Sequence, residues 1–220
     1  FLKLCTRIAH SQSIVELGQR VEPARRPYEK DIAKYVMVPG NARPRHPIVE
    51  ERTRRLTAFA ETTDLNREEM GEDTSIGIIT SSTSYQYARE VFGPKASILK
   101  LGLVNPLPKQ KILDFAAKVD KVLVLEELDP VIEDHCRALG LDVLGKDVLP
   151  LEGEFSQGLV AEKLGKPGKP WVGLGENVPG RPPVLCAGCP HRGLFYTLAK
   201  HKVTVLGDIG CYTLAAYEPL

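Results

Sequence analysis

The sequence predicts an α/β protein whose main domain, over residues 73–165, is a parallel sheet covered by helices. Three segments, SIGIIT, SILKLGLV and KVLVLEE, have the continuous apolar character of strands buried on both faces. Segments of about ten residues with helix start or stop signals follow them. Strands that alternate with helices of this length predict parallel pairing through helical crossovers, hence a three-layer domain.

The elements of this domain follow one another regularly. SIGIIT predicts the first strand, Ser81 to Ser84 offer N-caps, and YQYAREVF predicts a helix that ends at Gly93-Pro94. SILKLGLV predicts the second strand, and Pro108 suits the first turn of a helix that ends near Lys118. KVLVLEE predicts the third strand. A helix from Asp129-Pro130 to Gly140 and a short strand, LDVLG, complete the series.

The flanking segments predict parts of other domains. Residues 1–21 contain a short strand-like pattern, LKLCTRIA, which we interpret as the end of an upstream domain. Residues 22–72 predict an interdomain linker, since five prolines between 22 and 47 disfavour continuous helix, followed by an amphipathic helix over 48–62. Residues 166–180, rich in Gly and Pro, predict a second linker.

Residues 181–220 predict the beginning of another domain. A CxxC loop leads into a helix at about 191–200, then into a strand, VTVLG, and a glycine-bearing turn. The chain begins at Phe1 rather than a start methionine and stops at Leu220 without a helix stop or polar tail. We therefore expect a piece of a longer protein.

Composition excludes several classes of function. The chain has 220 residues with 29 Lys and Arg against 28 Asp and Glu, a net charge of +1, which argues against a polybasic nucleic-acid-binding role. No apolar run approaches the roughly 20 residues that a membrane span needs, and the N-terminal residues lack the core of a signal peptide. We expect a cytoplasmic protein that binds neither nucleic acid nor membrane.

Three of the five cysteines crowd into the last 35 residues. Cys186 and Cys189 lie at i and i+3, a spacing that directs two sulfurs to one metal, and Cys211 follows a predicted strand. This pattern favours a zinc or iron–sulfur site whose fourth ligand lies outside the chain. The alternative is that these are small buried residues at a close packing point.

Two further groups are candidates for binding. His191 and Arg192 begin a predicted helix, where free amide groups favour an anion, and the turn from Gly207 to Gly210 faces the same predicted sheet edge. Together they predict a site for a phosphate or an acidic substrate, unless Asp208 is only a cap. Glu126 and Glu127 end a strand, but adjacent strand residues point to opposite faces and do not form an acid–base pair.

The segments RPPVLCAGCPHRGLFYTL and GDIGCYTL resemble the start of the thiamine-diphosphate-binding domain in the alpha subunits of indolepyruvate ferredoxin oxidoreductases. TRIAHSQSIVEL resembles the end of that family's pyrimidine-binding domain, and YVMVPGNARPRHPIVEERTRRL resembles its interdomain segment. GIITSSTSYQYAREV, LKLGLVNPLP and VLVLEELDP resemble its transketolase C-terminal-like domain. The resemblance covers essentially the whole chain in the family's order.

This resemblance implies an activity. The family oxidatively decarboxylates aryl 2-oxoacids such as indolepyruvate with coenzyme A, yielding an aryl-acetyl-CoA, carbon dioxide and reduced ferredoxin. It implies thiamine diphosphate with Mg²⁺ and [4Fe–4S] clusters as cofactors, and a smaller beta subunit and ferredoxin as partners. It places Cys189, His191, Gly207, Asp208, Gly210, Cys211 and Tyr212 near the cofactor, and it casts Cys186, Cys189 and Cys211 as cluster ligands.

The chain departs from the family pattern in what it lacks. The magnesium-diphosphate motif is expected past Leu220, the glutamate that activates the aminopyrimidine before Phe1, and a ferredoxin-like cysteine run is absent. We therefore expect the 220-residue piece alone to be inactive. The alternatives are a non-catalytic zinc or iron–sulfur interaction module, or a thiol-redox protein that uses CAGC.

Overall fold

The computed structural model describes residues 4, 6–9, 11–166 and 183–216, and the chain divides into two compact units, Phe1–Gly168 and Lys169–Leu220. The first unit contains seven described helices and five strands. They are, in order, α1 Thr6–Ala9, α2 Ile32–Tyr35, α3 Pro39–Thr62, β1 Arg67–Glu69, β2 Asp73–Ser81, α4 Ser84–Phe92, β3 Ala96–Leu101, α5 Lys109–Ala116, β4 Val122–Leu125, α6 Val131–Ala138, β5 Val143–Leu144 and α7 Gln157–Lys163.

The five strands form one mixed sheet in the order β1-β3-β2-β4-β5. The pairs β2–β3, β2–β4 and β4–β5 are parallel, whereas β1 lies antiparallel to β3 at the edge. In register, Ile79 of β2 faces Leu99 on one side and Val124 on the other. The predicted α/β class and the four parallel strands are therefore confirmed.

Alternation along the strands divides the core into two halves. Ile79 and its neighbours Leu99 and Val124 pack against α5 and α6 on one face of the sheet. Ile78, one residue earlier, packs with Ile98 and Leu123 against α4 and α7 on the other face. Because successive strand side chains point to opposite faces, a continuous apolar run fills both halves, and the predicted three-layer arrangement follows.

A buried carboxylate fixes the start of α6. Glu126, directly after β4, is 7% exposed, and its two oxygens accept the backbone N–H groups of Ile132 and Glu133, each at 2.9 Å. Burial raises the pKa of Glu126, and these two amide donors act in the opposite direction. The ammonium of Lys146 donates to the backbone carbonyl of Glu126 at 2.6 Å. Both the carboxylate and the backbone carbonyl of Glu126 therefore have hydrogen-bond partners within the fold.

We expect Glu126→Gln to lower the free energy of unfolding by about 1–3 kcal/mol, because the amide nitrogen of Gln would face a backbone donor that then has no acceptor. Urea unfolding of the 220-residue chain measures the change. Glu162→Gln is the matched control, since the Glu162 side chain is 76% exposed and its loss should change stability by no more than about 0.5 kcal/mol. Equal effects of the two substitutions would contradict the capping role.

Two sequence predictions in the first unit are corrected. Residues 6–9 of the strand-like N-terminal pattern form the helical turn α1. Helix α3 begins at Pro39 and contains Pro44 and Pro47, so the prediction that prolines keep this segment out of a helix is wrong for residues 39–47. Proline removes a backbone donor, but its fixed φ is close to the helical value, and the bonds of the other residues continue the helix.

The second unit contains α8, Pro190–Lys200, and a 3₁₀-helix, Cys211–Ala216, among its described residues. The predicted helix at 191–200 is therefore confirmed. The predicted strand VTVLG is wrong, because residues 203–207 have no regular structure. A strand is stabilised by hydrogen bonds to a neighbouring strand, and the described part of this unit offers none.

The second linker, at 166–180, lies almost wholly outside the described residues. None of the helices in the described ranges combines the length and the apolar character that crossing a bilayer requires.

Candidate metal and cofactor site

The CxxC segment forms a tight turn directly before α8. The amide of Cys189 donates to the carbonyl of Cys186 at 3.1 Å, and Gly188 has a φ of 73°, a left-handed conformation that glycine adopts without strain. Both cysteines are free thiols, Cys186 exposed and Cys189 half-buried. The two cysteines therefore lie on one tight turn directly before the helix.

Helix α8 is joined to this turn by its first residues. Cys189 is the N-cap residue and Pro190 occupies the first helical position, where the missing donor of proline costs nothing. The amide of Arg192 donates to the carbonyl of Cys189 at 3.1 Å. Its guanidinium donates through Nε to the carbonyl of Cys186 at 3.0 Å and through Nη2 to the carbonyl of Leu185. Hydrogen bonds thus connect the first turn of α8 to the CxxC turn.

The glycine-bearing segment forms a second turn, which Tyr212 covers. The amide of Gly210 donates to Oγ1 of Thr213 at 3.1 Å, and Oγ1 of Thr213 donates to the carbonyl of Asp208 at 3.3 Å. A Cβ at Gly210 would lie 2.8 Å from Cε1 of Tyr212, so only glycine admits the ring at this distance. The side chain of Asp208 accepts the amide of Ile209 at 2.7 Å.

An aromatic contact joins the two turns. The ring of His191, in the first turn of α8, meets the ring of Tyr212 edge-on, with centroids 5.9 Å apart and an interplanar angle of 77°. His191 also lies 6.4 Å from the ring of Phe195, one helical turn later. Tilted and edge-to-face geometries are those that aromatic pairs prefer. Cys189 lies two residues before His191 in the sequence, and Cys211 lies directly before Tyr212.

A cavity of about 450 Å³ lies beside Tyr212 in the second unit. Its walls are mostly aliphatic and aromatic, and Asp208 is the single carboxylate among them. The lining residues are Phe195, Leu198, Ala199, Val203, Val205, Gly207, Asp208, Tyr212, Thr213, Ala215 and Ala216. An apolar cavity with one carboxylate is suited to a ring or hydrocarbon portion of a ligand rather than to a phosphate.

The donor chemistry of the cysteines fits a soft metal or an iron–sulfur cluster, since thiolates are the ligands that such centres take. Within the described ranges, however, no three or more His, Cys, Asp and Glu side chains form a group that could hold a metal ion. The ligand set Cys186, Cys189 and Cys211 stays a prediction.

The remaining described cysteine has a different environment. Cys136 is fully buried in the core of the first unit, between the sheet and α6. Burial raises the pKa of Cys136 to about 12, and the nearby Glu126 and Glu133 carboxylates act in the same direction. A thiol that stays protonated in an apolar core is a structural residue.

The sequence singled out two segments as a candidate site, and the structure shows contacts between them that the sequence did not predict. The predicted residues His191, Gly207, Asp208, Gly210 and Tyr212 lie on two turns that meet at the His191–Tyr212 contact. The hydrogen bonds of Arg192 to two backbone carbonyls were not predicted. The sequence analysis had placed Arg192 in a binding site for an anion. Glu126 caps α6, and Glu127 accepts the amide of Phe155 at 2.6 Å, so both serve the fold.

Comparison with known proteins finds sequence relatives that share one name. No family model matches the chain. The indolepyruvate oxidoreductase subunit IorA of Archaeoglobus fulgidus is 36% identical over 245 residues, which cover 100% of this chain and 39% of that protein. IorA of Methanothermobacter thermautotrophicus is 33% identical, over 99% of this chain and 40% of its own length. IorA of Thermococcus kodakarensis is 31% identical, over 100% of this chain and 39% of its own length.

Among solved structures, 2-oxoglutarate:ferredoxin oxidoreductase from Magnetococcus marinus, with 2-oxoglutarate, coenzyme A and succinyl-CoA bound, shares 19% identity at a TM-score of 0.38. The match covers 50% of this chain and 20% of that one, a similarity too low to bear on the fold. The sequence relatives are stronger, and the chain spans about two fifths of their length. The chain belongs to the family of the indolepyruvate oxidoreductase IorA subunits.

Proposed function

We propose that the chain is part of a thiamine diphosphate-dependent enzyme that oxidatively decarboxylates aryl 2-oxoacids, indolepyruvate among them. The products would be an aryl-acetyl-CoA and carbon dioxide, with ferredoxin as the electron acceptor. The observation that carries this proposal is the similarity to IorA subunits along the whole chain, at 30% identity or more. A smaller beta subunit is the proposed partner within the enzyme.

When bound, thiamine diphosphate supplies the electron sink that decarboxylation of a 2-oxoacid requires. We propose that Cys189, His191, Gly207, Asp208, Gly210, Cys211 and Tyr212 line the space beside it. In support, the rings of His191 and Tyr212 are in contact, and Gly207, Asp208 and Tyr212 line the apolar cavity. The proposed task of these residues is to orient the cofactor and to keep water away from it.

With ferredoxin as the acceptor, electrons would leave the site one at a time, and an iron–sulfur cluster would supply the one-electron chemistry. We propose that Cys186, Cys189 and Cys211 contribute three thiolates to a [4Fe–4S] cluster, with a fourth ligand from the rest of the enzyme. The free thiols and the tight turn of the CxxC segment support this role. The groups that hold Mg²⁺ and the diphosphate are proposed to lie elsewhere in the full-length enzyme.

The competing function is a non-catalytic module that binds zinc or a cluster and docks a partner. Two free thiols in one turn suit zinc as well as iron. Analysis of the full-length protein, purified without oxygen together with its companion subunit, separates the two. Iron and acid-labile sulfide, with indolepyruvate-dependent reduction of ferredoxin, support the oxidoreductase. Zinc without sulfide, and no turnover, support the module.

We expect the 220-residue chain on its own to show no indolepyruvate-dependent reduction of ferredoxin, because it spans only about two fifths of the length of the IorA subunits and lacks the proposed beta subunit. The measurement is ferredoxin reduction with indolepyruvate, coenzyme A, thiamine diphosphate and Mg²⁺, run beside the full-length enzyme. Turnover by the short chain would show that it contains a complete site.

A further inference from the structure

The side chain of Arg192 connects helix α8 to the chain that enters the CxxC turn. Its Nε donates to the carbonyl of Cys186 at 3.0 Å and its Nη2 to the carbonyl of Leu185. The backbone of the same residue donates to Cys189 at 3.1 Å. One residue is therefore bonded to both cysteines of the turn, to one through its side chain and to the other through its amide.

The geometry of these bonds matches the chemistry of arginine. A guanidinium is planar and presents several N–H donors in a fixed arrangement, so two donors engaged on successive carbonyls fix the direction of those peptide groups. The backbone of Cys186 restricts its sulfur to a few rotamer positions, and the side chain of Arg192 bonds to the carbonyl of that backbone. Lysine has a single flexible donor group and cannot reproduce both bonds in the same plane.

No other described side chain hydrogen bond holds this turn. Cys189, the N-cap residue, makes no side-chain capping bond, and Leu185 is the single buried hydrophobic residue among those described in the second unit. Apolar packing within the described part of this unit is therefore slight. Among the described residues, the hydrogen bonds that hold the backbone of this turn are the one from Cys189 to Cys186 and those made by Arg192.

We propose that Arg192 is a positioning residue, which holds the Cys186–Cys189 turn in the arrangement that its two thiols need to bind one metal centre. This inference rests on the proposed function, since it assigns Arg192 to the same site. It does not place Arg192 on the substrate or the cofactor. Groups that orient metal ligands typically change metal affinity or activity by roughly 10- to 100-fold when they are removed.

The test uses the full-length enzyme with its companion subunit, prepared without oxygen, as wild type, Arg192→Gln and Arg192→Lys. Lys200→Gln is the matched control, because it removes one positive charge from the other end of the same helix. Three quantities are measured: the rate at which a chelator removes iron, the electron paramagnetic resonance spectrum of the reduced clusters, and the alkylation rates of Cys186, Cys189 and Cys211.

We expect Arg192→Gln to lose iron from one cluster roughly 10-fold faster than wild type, with an altered spectrum for that cluster. Arg192→Lys should fall between the two, and Lys200→Gln should match wild type. Unchanged iron loss, spectrum and alkylation in Arg192→Gln would overturn the proposal. It would also be overturned if iron loss accelerated only in step with a lower thermal midpoint of the whole protein, because that indicates a general effect on folding.

Alkylation separates this inference from the proposed function. If the wild-type protein holds no iron, the proposed function fails, but alkylation still reports on the turn. Faster alkylation of Cys186 and Cys189 in Arg192→Gln, with Cys211 unchanged, would then support positioning of the thiols by Arg192. Equal rates at all three cysteines in the variant and the wild type would contradict it.

Discussion

Phe115→Ala is expected to lower the free energy of unfolding of the first unit by about 3–5 kcal/mol, the range for removing a buried aromatic side chain. Phe115 is fully buried on α5 and belongs to the half of the core that contains Ile79 and Val124. Its ring lies against Gly77 of β2, where an added Cβ would come within 3.0 Å of Cε1 of Phe115. The substitution would leave a cavity between the helix and the centre of the sheet.

Urea unfolding of the 220-residue chain, followed by circular dichroism, measures this loss. Phe59→Ala is the matched control, because Phe59 on α3 is 50% exposed and its removal creates no cavity. The control should lower stability by no more than about 1.5 kcal/mol, since only half of the ring's surface is buried. A loss below about 1 kcal/mol for Phe115→Ala would show that α5 does not pack on the sheet as described.

The sheet could be predicted because its sequence signals are strong and local. The runs SIGIIT and KVLVLEE are short and mostly apolar at successive positions, which is typical of a strand covered on both faces. In the structure, Ile78 and Ile79 do fall in opposite halves of the core. By contrast, β1 is the three-residue segment REE, whose polar composition gives no strand signal, and it joins the sheet by pairing with β3.

Two sequence predictions were wrong because a local sequence pattern favoured a different structure from the one observed. Prolines normally end helices, yet α3 runs through Pro44 and Pro47, because the fixed φ of proline is close to the helical value and the other residues continue the helix. Near its C-terminal end, Glu61 accepts the amides of Gln110 and Lys111 of α5, at 3.0 and 2.9 Å. The apolar alternation of residues 203–207 predicts a strand, but pairing with a neighbour, which no local pattern supplies, decides whether one forms.

The candidate site was predictable in its residue types but not in its connections. Cysteine spacing and the glycine turn identify the two segments from sequence alone, because each signal is contained within a few residues. The contact between His191 and Tyr212, and the bonds from Arg192 to the carbonyls of residues 185 and 186, depend on how α8 is placed. Sequence periodicity carries no information about a bond from a side chain to a carbonyl six residues away.

The largest effect on activity is expected from the CxxC turn itself. In the full-length enzyme, Cys186→Ser and Cys189→Ser should each remove about four iron atoms, the content of one [4Fe–4S] cluster. Ferredoxin reduction should fall by more than roughly 100-fold, because losing a ligand exceeds the loss from a group that only orients one. Serine keeps the size of the side chain but replaces the soft thiolate with a hydroxyl that binds iron poorly.

Cys136→Ala provides the control for these two variants. It also removes one cysteine, but this thiol is fully buried in the first unit and its pKa is raised to about 12, so it offers no thiolate to a metal. Iron content and ferredoxin reduction should stay at the wild-type level, at a cost in stability of about 1 kcal/mol for the small cavity. Full iron content and turnover in both turn variants would exclude Cys186 and Cys189 as ligands, whereas loss of iron in Cys136→Ala as well would point to unfolding rather than to ligation.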